Sequence, residues 1–166
     1  MKLFLDSTYL IPAFNVDITE GWSKKDLKNL IQNEIYELYY CDLSLFEIYT
    51  KCMKLLIQNK LNIKIEEIQN GLQSIINSSR LIRINWWEHI FETDILLSFK
   101  KIHNDSIDCI LVYLAIVNCD IFATFDDTLI KKVKKEEILK DFIKEVNPQF
   151  KYWLNNLSGR NISLLK

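Results

Sequence analysis

Glycine, proline and histidine are scarce in this chain: three, two and two among 166 residues. So little glycine and proline argues against an all-β fold, whose many tight turns draw on both. Two histidines, at positions 89 and 103, give little support to a histidine-based zinc site or a serine triad. The four cysteines, Cys41, Cys52, Cys109 and Cys119, form no Cys-x-x-Cys pair and meet no histidine at zinc-finger spacing. Cys109 and Cys119 fall inside apolar runs and read as buried thiols; a chain of this size does not need disulfides, so reduced, intracellular cysteines are expected. No apolar run approaches the ~20 residues of a membrane span, and no secretory leader is evident. A cytoplasmic location without a membrane partner is therefore expected. The net charge is only -1, so there is no overall basic footprint for nucleic acid, although 21 Lys and Arg leave room for a local one.

What is present is a chain that is 49% hydrophobic and 26% charged, enough for one globular domain over 1–166 with a sizeable core. There is no internal repeat. Short apolar runs at 2–5, 37–41, 81–84 and 121–123 read as strands. Between them the periodicity changes to helical, at Leu27-Leu30-Ile31, at 45–57, at 60–78 and through Ile107, Ile110, Leu111, Leu114 and Ala115. Residues 12–21 read as a loop, and Ser23 with Asp26 as a helix cap. Ser7 or Thr8 reads as the cap of a first helix, and Ser44 as another, with Glu47 completing a capping box. Asn85 reads as the cap of one helix over 86–102, with His89 on its surface and His103 in turn or capping duty. Residues 138–146 read as a last strand and 150–157 as a helical or partner-binding segment. Strands alternating with helices predict a mainly parallel sheet.

Acids recur at comparable places in this pattern. Asp6 follows the first strand, Glu47 starts the helix after the second, Asp108 lies near a helix start, and Asp126 follows the fourth. In an open α/β sheet such places converge at the carboxyl ends of the strands. Gathered carboxylates repel and raise one another's pKa, which a hard cation relieves; oxygen ligation suits Mg²⁺ or Mn²⁺. Such an ion can activate water beside a scissile phosphate. Each acid also has a plainer role, Asp6 and Glu47 as capping groups and Asp105 and Asp108 as partners of a helix dipole. The Lys131, Lys132, Lys134 and Lys135 cluster is either a solvated face balanced by Glu136 and Glu137 or a phosphate-contacting rim. Asp6 as the nucleophile of a phosphotransferase is disfavoured, because that chemistry wants a second acid two residues on, where Thr8 stands.

Together, Phe4-Leu5-Asp6-Ser7-Thr8-Tyr9-Leu10, Leu43-Ser44-Leu45-Phe46-Glu47-Ile48, Asp108 with Ala115, and Thr124-Phe125-Asp126 resemble the PIN-domain nucleases. Many of those are the toxin halves of toxin–antitoxin pairs. The resemblance spans 2–135 and leaves 137–166 as a C-terminal segment of uncertain role, one that could close the fold, form a dimer face or hold an inhibitor. It implies a three-layer α/β/α sandwich with a mainly parallel central sheet and Mg²⁺- or Mn²⁺-dependent hydrolysis of RNA phosphodiester bonds. By the same resemblance Asp6, Glu47, Asp108 and Asp126 are the catalytic and metal-binding acids, supported by Ser7 and Thr124, with Asp105 and Asp127 as neighbouring acids that tune or substitute. Lys131 and Lys132 are nucleic-acid contacts, and RNA, an antitoxin protein and a second copy of the chain are the expected partners. An RNA-processing nuclease, or a PIN-like module that binds RNA or protein without catalysis, would carry the same motifs. Cys119 departs from the family by standing where glycine is common, and the extra acids Asp105 and Asp127 leave the third and fourth ligands open to shift or sharing.

Overall fold

The computed structural model describes residues 1–16, 21–60, 63–89, 92–154 and 163–165. Six strands form one sheet in the order β3-β2-β1-β4-β5-β6. They are β1 (Lys2–Leu5), β2 (Glu37–Cys41), β3 (Leu81–Ile84), β4 (Ile121–Thr124), β5 (Lys151–Leu154) and β6 (Ser163–Leu165). The first five run parallel, and β6 pairs antiparallel with β5 at the edge. Eight α-helices accompany them among the described residues: α1 (Ser7–Leu10), α2 (Lys24–Gln32), α3 (Asp42–Ile57), α4 (Ile65–Ile76), α5 (Thr93–Ile102), α6 (Ser106–Asn118), α7 (Asp127–Val133) and α8 (Glu137–Val146). The chain is an α/β protein of three layers, as its strand–helix alternation predicts.

Strand side chains alternate between the two faces, and each face builds its own core. Leu3, Leu5, Leu38, Tyr40, Ile121, Ala123 and Trp153 pack against α1, α3 and α4 through Tyr9, Leu10, Leu45, Ile48 and Ile68. Phe4, Cys41, Phe122 and Tyr152 face the other way, against Phe99, Leu111, Val112, Ala115 and Phe142 of α5, α6 and α8. The central strands β1 and β4 are apolar on both faces because helices cover both. All four cysteines are free and buried.

Several elements differ from their sequence expectation. Residues 137–146 are a helix and 151–154 a strand, the reverse of the expected order. The C-terminal part of the chain thus closes the fold, with Leu139 and Phe142 in the core and β5 extending the sheet. Burying a side chain of that kind is worth roughly 1.5–3 kcal/mol. Residues 11–14 form a 3-10 turn that takes up the start of the expected loop. The expected helix over 86–102 is two pieces, a 3-10 turn at Trp86–Glu88 and α5. Asn85 caps neither; its side-chain amide donates to Glu88 instead. The helix expected over 60–78 is shorter, and its Ile65 and Ile76 are exposed. Asp17, Glu20, Ile90 and Phe91 lie outside the described residues, as does most of 155–166. Among the described residues no helix is long and apolar enough to cross a membrane.

Strand order reverses between β1 and β4. The chain moves outward from β1 to β2 to β3, then returns to place β4 on the other side of β1. Such a switch point opens a crevice at the carboxyl ends of the two strands, the usual ligand position in this architecture.

Candidate metal centre

Both strands that flank the crevice lead into a helix within two residues, so an acid just beyond each strand end is also a helix cap. Asp6 caps α1, its Oδ1 accepting from the Ser7 amide at 2.6 Å. The Asp6 N–H donates to the Ala123 carbonyl at 3.0 Å, which ties the residue to β4. Asp126 caps α7, with Oδ1 accepting from Leu129 N–H at 2.7 Å. Thr124, buried at the end of β4, joins the two. Its hydroxyl donates to Asp6 Oδ2 at 2.9 Å and accepts from the Asp126 N–H at 3.0 Å.

The remaining acids come from α3 and α6, which lie in contact with each other. Glu47 is buried in the second turn of α3, where Ser7 Oγ donates to its Oε2 at 2.6 Å and Lys51 binds its Oε1. Asp105 caps α6 through the Ile107 amide at 2.8 Å, and Asp108 follows in the first helical turn. His103 Nε2 stands 2.7 Å from Asp108 Oδ2.

Five carboxylates and two basic side chains therefore share this end of the sheet, and their titration reflects the crowding. Burial pushes the Asp6 carboxyl up to about 7, with the Asp108 and Glu47 charges adding to the rise and the bonds from Thr124 and Ser7 opposing it. Asp108 is raised by burial and by Asp105 and Glu47, against the lowering effect of its His103 bond. Burial works against the Lys51 charge, but the Glu47 bond and the nearby Asp108 and Asp105 charges outweigh it and raise that pKa.

Among the described residues, two sets of three have donor atoms that all lie within 4.8 Å of one another: His103, Asp108 and Asp126; and Glu47, Asp105 and Asp108. Donors of a Mg²⁺ ion stand about 2.1 Å from it, so neighbouring donors are about 3 Å apart and either set would draw inward around a bound ion. Carboxylates with one imidazole fit a hard or borderline divalent cation. Asp6 belongs to neither set; more buried than Asp108, it acts on the others through its charge and through Thr124. His103, Asn104, Asp105, Asp108 and Lys132 line an open cleft of about 610 Å³.

Of the residues singled out in the sequence, Asp6, Ser7, Glu47, Asp105, Asp108, Thr124 and Asp126 are thus brought to one place. Asp127 is not among them: it joins neither set and pairs at 2.5 Å with Lys131, which is thereby tied along α7. Lys132 is the lysine that reaches the cleft. Two caps also differ from expectation. Asp6, not Ser7 or Thr8, caps α1, and α3 starts at Asp42, so Ser44 is buried inside the helix with its hydroxyl unpartnered and Glu47 closes no capping box. His103 and Lys51 are the functional candidates that sequence reasoning missed or set aside. Lys51 had a signal, standing four residues after Glu47 on one helix face. No protein-family model matches the chain, and no curated protein matches it significantly.

Proposed function

We propose that the chain is a divalent-cation-dependent endoribonuclease, a PIN-domain-like enzyme whose centre is the carboxylate cluster at the β1–β4 switch point. The observation that carries this reading is the convergence of five carboxylates from four separated segments on one crevice, with Asp108 common to both three-residue sets. Two of the five, Asp6 and Glu47, are buried, and burying carboxylates beside other carboxylates costs free energy that a cation would offset. Five carboxylates sharing a site with two basic groups leave a negative excess that Mg²⁺ or Mn²⁺ would balance.

In this reading Asp108, Asp126 and His103 hold the ion, with Glu47 and Asp105 on its flank. When bound, the ion supplies a Lewis acid and an activated water beside a scissile phosphate. Thr124 orients Asp6 and the Asp126 backbone together, and Ser7 fixes Glu47. The Asp6 carboxyl, raised to about 7 in the metal-free protein, would be lowered toward its charged form by a cation bound beside it. Lys132 at the rim meets the phosphate backbone. Four unpaired thiols support a reducing, cytoplasmic setting. Pairing of two copies, and an inhibitory protein partner of the toxin–antitoxin kind, belong to the same reading; Phe46 and Ile57, both exposed on α3, are apolar positions such a contact would cover.

The test is cleavage of end-labelled single-stranded RNA in Mn²⁺, with EDTA controls and with Asp126→Asn beside the parent. Cleavage by the parent that stops in EDTA and in the variant supports the reading. Parent activity that survives EDTA, or tight RNA binding with no cleavage under any metal, overturns it.

A further inference from the structure

The two candidate sets are not equivalent, and the difference lies in the basic side chain associated with each. His103 faces Asp108 in the first set, and an imidazole can present a nitrogen lone pair to a metal. Lys51 binds Glu47 in the second set, and an ammonium has three N–H donors and no lone pair, so it cannot ligate. It can only stand where a cation would stand.

Its position is fixed by the fold. Lys51 lies one turn after Glu47 on α3, so the two side chains share a helix face. Glu47 is held at both oxygens, by Ser7 on one side and Lys51 on the other, with its side chain only 8% exposed. It has little freedom to swing toward another partner. Asp105 and Asp108, the other two members of that set, are also close enough to act on the Lys51 charge. The ammonium is thus bonded to one member of a set whose three donor atoms lie within 4.8 Å of one another. Its side chain is nevertheless 62% exposed, which leaves the charge open to a phosphate entering the cleft.

We propose that the Lys51 ammonium occupies the second of two cation positions, so that the centre takes a single divalent ion at His103, Asp108 and Asp126. Lys51 is then a positioning residue: it neutralises Glu47 and holds a single positive charge beside Asp105 and Asp108 in place of a second ion. This inference rests on the metal-centre reading above, and its test separates the two.

The experiment is calorimetric titration of the full-length, chelator-treated protein with MnCl₂, with bound ion counted independently by electron paramagnetic resonance. The parent is expected to bind one Mn²⁺. Lys51→Gln, which removes the charge from an exposed side chain, is expected to bind a second, and Lys51→Arg to return to one. Two ions in the parent, or one ion in Lys51→Gln, overturns the role of Lys51 and leaves the metal centre standing. No saturable binding in any of the three proteins overturns both. A purely structural Lys51 would leave the ion count unchanged in every variant.

Discussion

Thr124 and Asp6, 118 residues apart in the chain, are joined by a 2.9 Å hydrogen bond from the threonine hydroxyl to the carboxylate. The same hydroxyl accepts the Asp126 N–H, so one buried side chain couples the ends of β1 and β4. The geometry of the site therefore depends on a residue that is itself no metal ligand. Thr124→Val keeps the shape and removes both bonds. It is expected to cost about 1–3 kcal/mol of stability and 10–100-fold in Mn²⁺ affinity, whereas Thr124→Ser should retain most of each. Urea melts and Mn²⁺ titrations of both variants check this; equal behaviour of Val and Ser would contradict it.

The Asp6 carboxyl makes the metal-free protein sensitive to pH. Its pKa rises from an ordinary 3.8 to about 7 on folding, so the folded state holds the proton more tightly than the unfolded one. The stability this confers is fully present below about pH 4 and is lost as pH rises through about 7. The shift of about 3 units corresponds to about 4 kcal/mol as an upper figure. With chelator present, Asp6→Asn is expected to melt higher than the parent at pH 8 and to show a flatter dependence between pH 5.5 and 8. A variant less stable than the parent at pH 8 would show that the buried charge is compensated.

Ser44 separates two accounts of how α3 begins. As a cap, its loss would cost about 1 kcal/mol. The structure buries it in the first turn with an unpartnered hydroxyl, so Ser44→Ala should be neutral or stabilising by up to ~1 kcal/mol. A thermal melt of the single variant decides.

Gly71 lets α4 approach the 3-10 turn that follows α1. A Cβ there would meet Phe14 Cα at 2.7 Å and the Ala13 carbonyl oxygen at 2.8 Å, both backbone atoms that cannot step aside. Gly71→Ala is expected to cost roughly 1–3 kcal/mol, despite alanine's better helix propensity. Denaturant unfolding with an unchanged or raised midpoint would contradict this packing.

The layered α/β fold was legible because strand and helix periods alternate cleanly through 2–124. The four principal acids were legible because each stands beside a strand end or helix start. What escaped has a common cause. Strands β1 and β2 enter their helices without a loop, so Asp6 and Cys41 take the capping positions and the hydroxyls expected to cap lie inside. The start of the 3-10 turn at Trp86 has a tertiary component: Asp42 accepts from the Trp86 N–H at 3.3 Å, a link across 44 residues that no local pattern reports. The helix at Glu137–Val146 does carry a local signal, since Leu139, Phe142, Ile143 and Val146 keep helical spacing, but its β-branched residues imitate a strand. His103 was set aside because its partner, Asp108, becomes visible only once the turn before α6 is folded.

The most direct test of the metal centre is an anomalous difference map from a crystal of the protein soaked in MnCl₂. The expected result is a peak within about 2.3 Å of oxygens from Asp108 and Asp126, with a His103 nitrogen at similar distance. A map with no peak at saturating Mn²⁺, or with its peak away from these side chains, would contradict the account.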